Sequence, residues 1–241
     1  MFLMLFRAGA FDPATPSPST GVMILFWIAF GGFFFGLTYG LLQICTELAI
    51  VRRERLAGVR PLAYLLSKVA VLMPLLAVVD LVLLGLLRVL DRLPALGPQG
   101  FGGLYLTLLL ATAAALGLGL LCSAAVSDAS QATLALPMLC FPQVLFVGAI
   151  LPVPQMAPVG RWLSYAMSNR WSFEALGHGA ALPDLLAHGR SSLGPALLAS
   201  YGDSFARPVA QNWCFLGGFT ILFLAATWAV LSRRSAVDRR G

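Results

Sequence analysis

Apolar residues gather in this chain into long, almost unbroken blocks, at roughly 21 to 46, 62 to 89, 102 to 126, 131 to 151 and 211 to 231. Each block approaches or exceeds the ~20 residues needed to cross a hydrocarbon core of about 30 Å at a rise of about 1.5 Å per residue. A segment surrounded by lipid must satisfy its backbone N–H and C=O groups within itself, so each block is predicted to be a helix. The expected fold is all-α: a polytopic helical bundle in the membrane with five full transmembrane helices. A partial block precedes them. Met1 to Ala8 is largely apolar but too short to cross, and the polar, proline-rich stretch Asp12 to Thr20 follows at once. Residues 1–20 are expected to be the remnant of a first helix plus an external loop. A signal peptide fits less well, because Arg7 follows the apolar run and no small-residue cleavage site precedes Asp12.

Composition points the same way. The chain is 59% apolar and 11% charged with mean hydropathy +0.86, against about 25% charged residues in a soluble domain. The charges that remain are clustered. Arg52, Arg53, Arg55 and Arg60 follow the first full block, and Arg233, Arg234, Arg239 and Arg240 follow the last. The positive-inside rule places both groups in the cytoplasm. The expected organisation has a cytoplasmic segment at 47–61, an external or interfacial segment at 152–210 and a cytoplasmic tail at 232–241. The turn Ser127 to Ser130 is expected inside and the loop Asp91 to Gly100 outside. Fifteen arginines to one lysine, with abundant Ala, Leu and Gly, fit a GC-rich and hence bacterial source, which places the protein in the cytoplasmic membrane. The net charge of +6 lies in these clusters rather than on a basic face with interleaved aromatics, so nucleic acid is not an expected partner.

The 152–210 segment carries its own periodicity. Trp162, Tyr165, Ala166, Asn169, Phe173 and Leu176 recur at helical spacing, which predicts a helix lying at, or dipping into, the outer interface. Arg170 and Glu174 are one turn apart and form a candidate structural pair. Trp162 and Trp171 suit the headgroup boundary. The four cysteines, Cys45, Cys122, Cys140 and Cys214, fall within or beside the blocks, and no disulfide framework is expected.

Catalytic chemistry is sparse. The only lysine, Lys68, follows Leu65, Leu66 and Ser67, so no phosphate-binding G-x-x-x-x-G-K-[ST] loop exists here. His178, Asp184 and His188 match no compact zinc spacing, and no metal site is expected. No serine elbow or paired-carboxylate site is visible. Asp80 stands out because it lies within an apolar block, where a carboxylate is costly and faces protein or a watery cavity. It is a candidate for the lining of a pathway, weighed against a bond to a neighbouring helix. Lys68, nearer the cytoplasmic end, can snorkel to the surface.

The most informative stretch is ELAIVRRERLAGVRPLAYLLSK, from Glu47 to Lys68. Glu47 and Glu54, seven apart, fall on one side of a helix, and such an arginine-rich element suits the docking of a soluble partner. Here Glu47, Arg53-Glu54-Arg55, Gly58, Ala63-Tyr64 and Ser67-Lys68 resemble the run between the second and third transmembrane helices of ABC-2 type membrane domains, in particular the G-subfamily (White-type) ABC transporters and their bacterial relatives. Gln131-Ala132, Pro137, Pro142-Gln143, Phe146 and Gly148 resemble that family's fifth helix. Leu163-Ser164-Tyr165, Arg170-Trp171 and Glu174-Ala175 resemble the external element before its last helix.

The resemblance implies the permease half of an ATP-driven exporter that forms the substrate pathway as a homodimer or heterodimer among membrane lipids. A partner nucleotide-binding domain would use ATP and Mg²⁺, with no cofactor bound by this chain. It implies that Glu47, Arg53, Glu54, Arg55 and Gly58 couple to the ATPase. Phe30, Phe33, Phe34, Tyr39, Asp80, Gln143 and Phe146 become candidates for lining the path. Ala149, Ile150 and Leu151 fall where the family keeps an apolar gate, a device that works by excluding water. Relative to the family pattern, nearly all of the first helix, its amphipathic connector and the ATPase are missing, so the expectation is either a fragment or late start of a longer polypeptide, favoured by the apolar remnant at Met1 to Phe6, or parts supplied from elsewhere. Two other classes stay in view. One is a membrane enzyme acting on a lipid carrier through Asp80, His178, Asp184 and His188. The other is a scaffold subunit that transports nothing.

Overall fold

The computed structural model describes residues 6, 8–12, 17–48, 50, 51, 53 and 59–238. The described residues form helices joined by turns and short loops, without strands. In chain order the helices are α1 (Pro18–Leu41), α2 (Pro61–Val89), α3 (Pro98–Ala125), α4 (Ala129–Leu145), α5 (Pro158–Tyr165), α6 (Ser168–Gly179), α7 (Leu182–His188), α8 (Gly194–Tyr201) and α9 (Val209–Asp238). Three-residue or four-residue 3₁₀ turns at Cys45–Glu47, Val153–Gln155 and Gly202–Phe205 link some of them. Proline opens α1, α2, α3 and α5 in the first turn, where its missing N–H is no loss and its fixed φ suits the helix.

Among the described residues, four helical stretches are long and apolar enough to cross a bilayer: Pro18–Glu47, Pro61–Val89, Pro98–Ala125 and Val209–Arg234. The fifth expected helix is present but shorter, and it still carries the chain from the α3–α4 turn to α6 at the other end of the bundle. The block at 131–151 yields α4, a 17-residue helix that stops at Leu145. Pro137 and Pro142 each remove a helical hydrogen bond, and the chain then bends through Gly148, whose φ of +94° suits a residue without Cβ. The start of α4 is set locally. Asp128 Oδ1 accepts from the Gln131 N–H at 2.9 Å, and Gln131 Oε1 accepts from the Ser127 N–H at 3.2 Å, a reciprocal cap close to a capping box.

The centre of the bundle is the α1–α3 contact, the largest between any two elements. The two helices run parallel, with Gly36 against Thr112, Ala115 and Leu116, and Gly40 against Leu116 and Gly119. A Cβ on Gly40 would lie 2.7 Å from the Leu116 carbonyl oxygen, and one on Gly119 would lie 2.6 Å from that of Leu37. Small residues here let the backbones approach, which is how helices gain packing energy where lipid supplies no hydrophobic drive. Helix α9 lies on the other side of α3, also parallel to it: Trp213 Nε1 donates to Thr107 Oγ1 at 2.9 Å near its start, and Arg234 donates to the Ala125 and Val126 carbonyls near its end. Arg234 thus satisfies carbonyls that the end of α3 leaves open. The chain after α1, the α3–α4 turn and the last turns of α9 therefore share one end of the bundle, the arginine-rich end.

At the opposite end, α6 packs against α9, α3 and α1. The helical periodicity expected across 162–176 breaks after Tyr165 into α5 and α6. The two tryptophans part company: Trp162 is 77% exposed, whereas Trp171 is 2% exposed. Trp171 is therefore an interior residue, stacked on Phe215 of α9 at 3.9 Å between centroids, and not the interfacial anchor its side-chain type suggested.

Candidate functional site

At the arginine-rich end the chain leaving α1 is pinned in two ways. Ser123 Oγ on α3 accepts the N–H groups of Ile44 and Cys45 at 2.9 and 3.0 Å. Glu47 receives Lys68 Nζ at 2.6 Å on Oε2 and the Tyr64 hydroxyl at 3.2 Å. Lys68, read from sequence as a snorkelling anchor, is instead the partner that ties the start of α2 to the end of α1. Arg53 is exposed. Glu54, Arg55 and Gly58 lie outside the described residues. The segment 47–61 thus leaves from a fixed point and presents at least one exposed cationic side chain.

The candidate path residues other than Asp80 fall on or at the end of two helices in contact, α1 and α4. Phe33 is buried with Leu37 and Ala115, Phe30 is half-buried, and Phe34 and Tyr39 are exposed. On α4, Phe141 and Leu145 are exposed. Gln143 is buried because its side-chain oxygen accepts the Asn169 N–H of α6 at 3.0 Å. Phe146, half-buried, packs toward Gly160 of α5. Asp80 is completely buried on α2, within a helix whose other faces are largely exposed.

The candidate gate lies in the bends after α4. Ala149 is buried, while Ile150 and Leu151 are exposed. The Tyr201 hydroxyl of α8 donates to the Ala149 carbonyl at 3.0 Å, so the gate segment is held by the 152–210 region. Burial pushes the Tyr201 hydroxyl up to about 12, which keeps it a donor across the physiological range. Beside it lies a cleft of about 360 Å³ lined by Val22, Met23, Ile150 and Leu197, with Ser19 and Ser200 at hand.

On α6 sits a buried charge network that the sequence revealed in part. Arg170 Nε donates to Glu174 Oε1 at 2.9 Å, and both side chains are 2% exposed. Arg170 also donates to Ser164 Oγ at 2.6 Å and lies over the Tyr165 ring at 4.3 Å. The missed member is Arg207, 33 residues on, which donates to Glu174 Oε2 at 2.8 Å and covers the Trp171 ring. Both carboxylate oxygens are thereby satisfied, as a buried charge requires. No local spacing signals Arg207; an unpaired arginine just before the last apolar block was the available hint.

Asp80, His178, Asp184 and His188 are placed apart rather than in one cluster. His178 Nδ1 is 2.9 Å from the Phe205 carbonyl, Asp184 and His188 line an apolar cleft near Phe11 and Leu96, and Asp80 lines neither. Among the described residues no three His, Cys, Asp or Glu side chains are placed to share a metal, and the four cysteines are free.

The profile of the ABC-2 type transporter family matches residues 2–179. The chain is also similar to an ABC transporter ATP-binding/permease protein of Mycobacterium tuberculosis, 27% identical over 208 residues, covering 85% of this chain and 23% of that protein. The chain thus spans less than a quarter of the length of that relative. Membrane-length helices, a charged segment fixed at one end of the bundle and a match across most of its length lead to one conclusion: this multi-pass membrane chain belongs to the ABC-2 type transporter family and is a transmembrane permease domain of an ABC transporter.

Proposed function

We propose that the chain forms half of an export path for a hydrophobic or lipid-like substrate, paired with a second copy or a related permease, and driven by a nucleotide-binding domain docked at its arginine-rich end. ATP and Mg²⁺ belong to that partner, and this chain performs no chemistry of its own. The observation that carries the reading is the pinned start of the 47–61 segment. Glu47, Lys68, Tyr64 and Ser123 make a rigid junction between α1, α2 and α3, so a push on that segment is delivered to the helices that carry the candidate path. Arg53, Glu54, Arg55 and Gly58 supply the contact with the ATPase. The arginine-rich end and the tail face the cytoplasm, where ATP is available. Exposed Phe34 and Tyr39 of α1 and Phe141 of α4 face the second permease across the path, and Ala149, Ile150 and Leu151 close it by excluding water.

The test is co-purification of the tagged chain from solubilised native membranes, assaying bound ATPase activity for wild type and for Glu54→Arg. An ATPase that accompanies the wild type and is lost from a folded Glu54→Arg protein supports the reading. A well-folded wild type that never brings an ATPase overturns it and favours a scaffold.

A further inference from the structure

Asp80 is the one acidic residue within the four long apolar helices away from their ends. Its side chain is 0% exposed, and neither carboxylate oxygen has a hydrogen-bond partner. The polar group facing it is the Thr112 hydroxyl of α3, itself buried and unbonded. Every element packed here lacks a countercharge. Helix α3 contributes no Asp, Glu, Lys, Arg or His, and its Tyr105 hydroxyl, the titratable group nearest in register, is committed to the Ala77 carbonyl at 3.1 Å. Helix α1 contributes no charged residue and approaches α2 at Gly31, beside Leu83. Helix α9 carries its charges, Arg233, Arg234 and Asp238, only in its last turns. On α2 itself, Lys68 is about 18 Å away along the axis and Arg88 about 12 Å. Lys68 is engaged by Glu47, and Arg88 is exposed and donates to the Leu96 carbonyl.

An ionised carboxylate in such a place has no cation beside it and only the Thr112 hydroxyl as a donor to offset its desolvation. A neutral carboxylic acid carries no such charge penalty, and it can exchange a hydrogen bond with the Thr112 hydroxyl in either direction. We propose that Asp80 is a proton-binding site, loaded while α2 lies against α3 and emptied when the two helices part and water reaches the carboxyl. This assignment is independent of the export reading, since it rests on α2 and α3 alone.

The test is infrared spectroscopy of the full chain in lipid nanodiscs at neutral pH, in H₂O and D₂O. The expected result is a carbonyl stretch of a protonated carboxylic acid that shifts down in D₂O and disappears in Asp80→Asn. Should that variant fail to fold, Thr112→Val keeps the acid but alters its hydrogen bond, so the same band should move in frequency without being lost. Transfer to an SDS–urea mixture at the same pH, which separates the helices, should abolish the band. Absence of an Asp80-dependent acid band in lipid overturns the proposal. Persistence of the band in SDS–urea overturns its link to helix packing.

Discussion

Helices α2 and α6 invert the usual relation between polarity and burial. Helix α2 is among the most apolar segments of the chain, yet only seven of its 29 residues are buried, and Val71, Val78 and Val89 are exposed. Helix α6 reads Ser-Asn-Arg-Trp-Ser-Phe-Glu-Ala-Leu-Gly over its first ten residues, and all ten are buried. In water such an arrangement would be unstable. In lipid it follows from the solvent: apolar side chains lose nothing by facing hydrocarbon, whereas each polar group must find a partner inside the protein. Helix α6 pairs its charged and amide groups because Gln143, the adjacent Ser164 and Tyr165, and Arg207 come to it from three other places in the chain. The protein interior is thus where polarity is sheltered.

The largest effect is expected from breaking the polar side of this comparison. Glu174→Ala leaves Arg170 buried without its carboxylate and strips Arg207 of its partner, a loss of about 3–5 kcal/mol of the kind seen when half of a buried ion pair is removed. The double variant Arg170→Met with Glu174→Leu should recover a substantial part of that loss, because the only charge then left without Glu174 is Arg207, whose side chain is 29% exposed. Thermal midpoints of the detergent-solubilised chain, followed by size-exclusion chromatography, measure both. Equal midpoints for wild type and Glu174→Ala would show that the network is not where α6 gets its stability.

The apolar side is tested by Val71, 71% exposed on α2. Val71→Arg should cost about 2–3 kcal/mol if that face meets lipid, whereas Val71→Leu should stay within about 0.5 kcal/mol. The measurement is the insertion efficiency of α2 by glycosylation mapping, combined with the midpoint in lipid. An arginine tolerated at this position would mean that the face is covered by protein or water, and the contrast with α6 would fail.

Much of this was legible in the sequence because the lipid rule is local. The blocks at 62–89, 102–126 and 211–231 locate α2, α3 and α9 closely at most ends, since length and apolarity suffice. The Arg170–Glu174 pair follows from one helical turn. The rest depends on partners distant in sequence. Apolar periodicity cannot tell lipid from protein, so the burial of α6 and of Trp171 was missed, and so was Arg207. The spacing of Gly32, Gly36 and Gly40, four residues apart, is a small-residue stripe that could have announced the α1–α3 contact. The overrun of α4 to 151 came from reading hydropathy past Pro137, Pro142 and Gly148, where backbone chemistry should have shortened the helix.

The smallest effect sharpens the comparison by repeating its chemistry at the membrane edge. Glu47 and Lys68 form an ion pair as short as any in the buried network, at 2.6 Å, but their side chains are 34% and 19% exposed. Solvent screens such a pair, so Glu47→Gln should cost less than about 1 kcal/mol while an amide oxygen still accepts from the Tyr64 hydroxyl. Salt separates the two cases. At about 1 M ionic strength the screening length is about 3 Å, and an exposed pair loses most of its attraction whereas a buried one does not. The difference in midpoint between wild type and Glu47→Gln should therefore shrink toward zero in high salt, while that of Glu174→Ala persists. A Glu47→Gln effect as large and as salt-resistant as that of Glu174→Ala would mean that the junction at the arginine-rich end is shielded from water, as it would be beneath a docked partner, and the same titration with and without the co-purified ATPase distinguishes that shielding from an intrinsic property of the fold.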